Sequence, residues 1–375
     1  MTQTDEEPAP VKEVIMLKGK ADLNRETFYR AVKKEYPAYI PMSYAISGGI
    51  WSEEPDLEQN MYDLMEKHPL LFPGFVHPHK HVERIYTANA VKDHPFTDDF
   101  GCLWETSFSG MVGTVTGHPL DDWDKWPEYQ KRMPDPTKCM GIGPIDWAKE
   151  EEGIRKAKEN GNLTMYGLRH GHTWLQICDI CGYENVLFGM EDEEPALIEL
   201  LDKLTDFNTY IIDRYVDNDV DCVTVAEDLG MQIGPMLSPA DFDKYILPCY
   251  KRIIKKAKEK GTIVHMHSDG DIRTLTDSLL ECGMDVLNLQ DLVNGIDWIR
   301  DNLKPRTSIE LDIDRQKVTR FGTPKDIDDL IHEEVDKLGS KEGGLMMVYG
   351  QYPGIPIENA SALMDAMEKY AFYYK

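Results

Sequence analysis

Gly261-Thr-Ile-Val-His-Met-His-Ser-Asp-Gly-Asp271 is the stretch on which the fold and the chemistry of this 375-residue chain turn. The apolar run Thr262 to Met266 leads straight into a turn at Gly270 that carries ionisable groups, a pattern that reads as a short buried strand. Side chains at i and i+2 of a strand share a face. His265 and His267 are therefore expected on one side, with Asp269 following on the turn. Two imidazoles and a carboxylate at a strand end can bind a divalent metal or move protons. A bare His-x-His is also the trace of one hydrogen-bonded core histidine and one loop residue, and the motif alone favours that plainer account.

Outward from this stretch, strand and helix alternate seven or eight times. Leu163 to Leu168 reads as a strand running into His170-Gly-His172, and Cys222 to Ala226 as one ending in Glu227-Asp228. Val286 to Leu289, Ser308 to Asp312 and Leu345 to Tyr349 follow as short apolar strands. Between them lie helical patterns: Trp174 to Leu187, Glu194 to about Asn218, and one begun by Ser238 at the N-cap with Pro239 behind it. An earlier helix is expected after Asn24, capped by Asn24 or Asp22. Short buried strands alternating with helices are the mark of parallel βαβ units. The natural closure is a (β/α)8 TIM-type barrel. A doubly wound sheet is the alternative, but no Gly-x-Gly-x-x-Gly follows the first strand.

In such barrels the reactive groups sit at the strand C-terminal ends. Those ends read His170 and His172, Glu227 and Asp228, His265, His267 and Asp269, Asn288 and Gln290, Glu310 and Asp312, then Tyr349 and Gln351. Residues 1–20 are expected to be a tail and 21–375 a single barrel domain. About 69–137, rich in Pro, Gly, His and aromatics, reads as an irregular insertion over the barrel mouth.

Acidic residues outnumber basic ones 67 to 41, a net charge of -26. That excludes the basic footprint needed for nucleic acid or an anionic membrane. No signal peptide or long apolar run is visible, so a cytoplasmic location is the expectation. The seven cysteines read as reduced thiols. Cys178-x-x-Cys181 has no second pair and falls within a helical run, so it is expected on one helix face.

Several stretches, in order, resemble the uroporphyrinogen decarboxylase superfamily, and within it the corrinoid-dependent methyltransferases. They are Glu26 to Pro41, Glu227-Asp-Leu-Gly-Met-Gln-Ile-Gly-Pro-Met-Leu-Ser-Pro-Ala-Asp-Phe242, Gly261 to Gly270, Glu281-Cys-Gly-Met-Asp-Val-Leu287, and Gly343-Gly-Leu to Ile357-Glu-Asn359. Phe100-Gly-Cys-Leu-Trp104 and His118-Pro-Leu-Asp-Asp-Trp123 resemble members that act on methyl ethers. The resemblance implies a TIM-type barrel. The arginine-bearing segment of true decarboxylases is replaced by Ser43-Tyr-Ala-Ile-Ser-Gly-Gly-Ile-Trp51, which lacks the cationic clamp for a polycarboxylate. The thiol methyltransferases hold zinc through His-x-Cys and a later Cys. Here the motif is His265-x-His267, and no cysteine follows Cys282. A harder His and carboxylate site suits an oxygen substrate.

The resemblance thus implies an O-demethylase component that moves a methyl group from a methoxylated compound, an aromatic methyl ether above all, to cob(I)alamin on a separate corrinoid protein. It implies zinc on His265 and His267, with Glu227 as third ligand. Asp269 or Asp228 would serve as supporting partner or acid. Tyr44, Trp51, His170, His172 and Gln351 are the expected substrate contacts. The fold also allows a homodimer. The alternatives are a decarboxylase on the same fold and a non-catalytic tetrapyrrole- or metal-binding protein.

Overall fold

The computed structural model describes residues 25–374; the expected tail and the Asn24 or Asp22 cap lie outside the described residues. In chain order the strands are β1 (Met42–Ile46), β2 (Phe96–Thr97), β3 (Leu103–Glu105), β4 (Thr114–Gly117), β5 (Met165–Gly167), β6 (Cys222–Ala226), β7 (Gly230–Met231), β8 (Gly234–Pro235), β9 (Ile263–Ser268), β10 (Val286–Gln290), β11 (Ser308–Asp312) and β12 (Leu345–Gln351). Seven form one sheet in the order β1-β12-β11-β10-β9-β6-β5, and every pairing is parallel. Helices between consecutive strands cover it, as parallel pairing demands.

The helices start where the sequence provides caps. Glu194 caps Pro195–Asp217, and Ser238 accepts from Asp241 N at the head of the segment that begins at Pro239. Thr323 and Asp326 form a capping box on Pro324–Leu338. The single helix expected over Trp174 to Leu187 is two, Trp174–Cys181 and Tyr183–Glu191, because Gly182 at φ +86 turns the chain between them. Cys178 and Cys181 lie on the first of these, and all seven cysteines are buried and free.

This is the TIM-type architecture, with seven strands among the described residues. The missing place is that of a second barrel strand, between β1 and β5. The chain there runs through an irregular segment whose prolines at 69, 73, 78 and 95 cannot donate to a ladder. The antiparallel sheet β2-β3-β4 lies in the same segment and ties to both sides of the gap. On the β1 side Gly110 meets Gly48 backbone to backbone, and Ser52 Oγ donates to Ser109 O at 2.5 Å. On the β5 side Asp98 accepts from Trp104 Nε1 at 2.9 Å and pairs with Arg169 at 3.5 Å.

The larger core lies between the sheet and its helices. A smaller one plugs the bottom of the barrel, where Phe28 and Ala31 of the helix Arg25–Lys33 pack on Cys222, Ile263, Val286 and Met346. Arg25 and Tyr29 anchor that helix to Asp221. Two positions further along β9, β10 and β11, the same interior face becomes polar, with His265, Asn288 and Glu310. No helix among the described residues is long and apolar enough to cross a membrane.

Candidate active site at the strand C-terminal ends

β5, β6, β9 and β11 deliver ionisable side chains to one opening. His170 follows β5, Asp228 follows β6, His267 and Asp269 close β9, and Asp312 ends β11. Asp228 Oδ1 lies 3.2 Å from His170 Nε2 and 3.6 Å from His267 Nε2. Asp269 Oδ1 approaches His267 Nε2 at 3.8 Å, and the Asp269 N–H donates to Asp228 Oδ1 at 3.1 Å. Arg315 Nη2 donates to Asp269 Oδ1 at 2.9 Å and to Asp312 Oδ2 at 2.7 Å. Its guanidinium sits 5.4 Å from the ring of Tyr352.

The orientation of His267 follows from its other nitrogen. The Asn288 amide is fixed because Nδ2 donates to Glu310 O at 2.7 Å. Its Oδ1 must then accept, and His267 Nδ1 stands 2.5 Å away. Nδ1 therefore carries a hydrogen, and Nε2 is aimed at the carboxylates.

The electrostatics separate the groups. Burial favours neutral His267, but the hydrogen bond to Asp228 and the charges of Asp269, Asp312 and Asp228 outweigh it and push it up to about 9. Burial acts against the Asp228 carboxylate too, yet His170 and His267 hold it well below the usual range. Asp312 is pushed up to about 7 chiefly by burial, with Arg315 opposing and Asp269 reinforcing.

The opening thus gathers His170, Asp228, His267 and Asp269 from the sequence expectation. Other expected residues lie elsewhere. His265 points one layer deeper, and its Nε2 meets Glu310 Oε2 at 2.8 Å. Glu227 does not join His265 and His267 as a third ligand. Neighbours on a strand alternate in direction, so Asp228 turns to the opening and Glu227 turns to the helix layer. There Glu227 accepts from Thr173 N and Leu175 N, at 2.8 and 2.9 Å, and from the Tyr250 hydroxyl. Asp228 is held in its ionised form by His170 and His267.

Four of the five expected substrate contacts are interior residues. Tyr44 is buried and donates to buried Gln351 at 2.6 Å, on the helix side of the sheet. Trp51 is buried under Arg84 and stacked with Tyr62. His172 is buried beside Tyr250, and burial above all drives its ring down to about 3, so it is neutral. Only His170 is half exposed at the opening. Arg315 had no place in the sequence reading. Its signal was the Asp312-x-x-Arg315 spacing past a strand end, which i,i+3 pairing could have flagged. Asn288 and Asp312 were visible only as members of the strand-end series.

A divalent cation finds two sets of donors here. His170, Asp228 and His267 each offer an atom within 4.8 Å of the others, and so do His267, Asp269 and Asp312. The set of His265, His267 and Glu227 does not fit such an ion, since its members face different layers.

The model of the family described as Uroporphyrinogen decarboxylase (URO-D) matches residues 152–370. The chain belongs to this family. The uroporphyrinogen decarboxylase of Prochlorococcus marinus is 24% identical over 186 residues, covering 48% of this chain and 50% of that protein. The enzyme of Hordeum vulgare is 28% identical over 180 residues, covering 46% and 51%. The chain spans about half the length of the curated relatives it matches. Among solved structures, a methyltransferase from Methanosarcina mazei aligns with a TM-score of 0.62 at 15% identity, covering 92% of this chain and 98% of that one. That likeness shows a shared fold. In this uroporphyrinogen decarboxylase family member the turn after β1 becomes a short helix, Gly48–Glu53, and the cation at the opening is Arg315, already engaged by two carboxylates.

Proposed function

We propose that this chain is a methyltransferase that takes a methyl group from a methoxylated compound, an aromatic methyl ether in particular, and passes it to cob(I)alamin carried by a separate corrinoid protein. The observation that carries the reading is the convergence of His170, Asp228, His267, Asp269 and Asp312 on one opening at the strand ends. Family membership and the likeness to a methyltransferase along nearly the whole chain support it.

Ether cleavage fails unless the departing oxygen loses its negative charge. Asp312 holds its proton up to about pH 7, the range in which a general acid works best at neutral pH. It is the side chain suited to protonate the oxygen. Arg315 keeps the Asp312 carboxylate that remains from repelling the product, and Asp269 shares that cation. A divalent ion on His170, Asp228 and His267 would supply Lewis-acid stabilisation of the same oxygen. A porphyrinogen carboxylate would have to displace Asp269 or Asp312 from Arg315, which makes decarboxylation the weaker reading.

The test is methyl transfer from a panel of methoxyarenes to cob(I)alamin, monitored by loss of cob(I)alamin absorbance. Transfer from at least one ether is expected, with Asp312→Asn slower by about 100-fold or more. No transfer from any ether, or full-rate Asp312→Asn, would overturn the reading.

A further inference from the structure

We propose that Ala45, Val348 and Gly350, with the ring of Tyr352 beside them, form a subsite for the aromatic ring of the substrate, next to the acid Asp312. The inference deepens the proposed function and rests on it only for the chemistry done on the bound ring, not for the binding.

The first observation is where solvent enters the barrel. Along β1 and β12 every residue is buried except Ala45, Val348 and Gly350, which are half-buried. Val348 and Gly350 share the inward parity of Met346, which packs in the lower core, and Ala45 is the register partner of Gly350. Tyr44 and Gln351 alternate outward and are buried under the helices. Inward residues that solvent reaches, between outward residues that it does not, mark open space inside the barrel. Val348 is the register partner of Asp312, so this wall lies directly beside the acid. Neighbouring strands are about 4.8 Å apart, close to the reach from an aryl ether oxygen across its ring. An oxygen at Asp312 therefore lays its ring on Val348 and Gly350.

The second observation is what bounds that space. A Cβ placed on Gly350 would lie 3.4 Å from Arg315 Nη1 and 3.6 Å from Tyr352 Cε2, ordinary contact distances. Gly350 is not in a left-handed conformation, so its missing side chain is a matter of room rather than of backbone strain. Arg315 holds Asp269 and Asp312 through Nη2 and turns Nη1 to this space. Tyr352 is 43% exposed, and the charges it meets are those of the opening: Arg315, Asp269, Asp312 and Asp228.

These walls select a flat ring. Ala45, Val348 and Gly350 offer apolar surface without a hydrogen-bonding side chain. A guanidinium and a tyrosine ring both gain from an aromatic face beyond the area it covers, and neither gains so from an alkyl ring.

The full chain is titrated, by ligand-observed NMR, with methoxybenzene and with methoxycyclohexane, which carries the same ether and no aromatic face. The wild type is expected to bind methoxybenzene more tightly by about 2- to 10-fold. Tyr352→Leu should erase that preference, and Tyr352→Phe, which keeps the ring, should regain it. Gly350→Val has a Cβ that fits and methyl groups that fill the space, and should weaken methoxybenzene by about 10-fold or more. Circular dichroism and the urea midpoint report its fold. Ala45→Leu fills the same space from β1, with the same expected loss, and carries the test if Gly350→Val does not fold. No binding of methoxybenzene, no preference over methoxycyclohexane, or unaltered binding in the folded filling variants overturns the subsite. The expected pattern in a chain that transfers no methyl group supports the subsite and overturns only the proposed function.

Discussion

Glu227→Gln is expected to remove one segment of the pH dependence of stability. Glu227 is fully buried and accepts from the first amides of the helix Trp174–Cys181, where Thr173 itself provides no side-chain cap. Burial pushes its carboxyl from 4.5 up to about 7, against the hydrogen bonds of Tyr250, Thr173 and Leu175. A carboxyl that holds its proton more tightly when folded contributes stability that is complete below about pH 4.5. That contribution is lost as pH rises through about 7. At about 1.4 kcal/mol per tenfold change in proton affinity, the total is about 3 kcal/mol. Glutamine keeps the shape and cannot titrate. Near pH 5 the two proteins should differ by about 1 kcal/mol, the worth of one altered hydrogen bond. By pH 8 the wild type should have fallen by about 3 kcal/mol relative to the variant. Urea unfolding of both proteins from pH 5 to 8 gives the difference curve, in which every other titrating group cancels. A flat difference curve, or one that rises in favour of the wild type, would mean that burial does not raise the Glu227 carboxyl.

Arg315→Met should cost about 2 kcal/mol, because it leaves Asp269 and Asp312 unpaired in a partly buried setting. It should also move the alkaline limb of the pH–rate profile upward, as Asp312 keeps its proton longer. Gly110→Ala should loosen the insertion, since Gly110 sits at φ +81 and an added Cβ would collide with the Gly48 carbonyl. A loss of about 1–3 kcal/mol and faster proteolytic nicking within 96–117 are expected. Tyr44→Phe should cost about 1–2 kcal/mol by leaving Gln351 without its buried donor. Its turnover and metal affinity should be unchanged, and a raised KM would return Tyr44 to the substrate.

Much of the architecture was legible because period-two strands and capped helices write themselves locally. Pro195–Asp217 and Cys222–Ala226 fall within a residue of the expected bounds. The seventh-to-eighth strand question was not local. It depended on whether a Pro-rich segment could enter the ladder, which only the Gly48–Gly110 and Asp98–Arg169 contacts decide. In the site, the same-face rule for His265 and His267 gave direction but not depth. Two residues of strand advance about 6.6 Å, enough to put His265 against Glu310 and His267 against Asn288. The choice between Glu227 and Asp228 was one of parity, and nothing local says which of two adjacent acids faces inward. The register Ala226 to His267 settles it. Tyr44, midway along β1, and Gln351, the last residue of β12, both lie on the outward face, where parity again decides the direction.

The gap beside β1 bears on how the protein is made. β1 has one neighbour in the sheet, β12, and Tyr44 waits for Gln351, 307 residues later, to complete its hydrogen bond. At about 5–20 residues per second a ribosome needs about 15–60 s to span that distance. Throughout that interval an apolar strand has been synthesised without its partner. An apolar strand left unpaired on the growing chain until β12 emerges is the biosynthetic consequence of a barrel whose first strand is paired from one side.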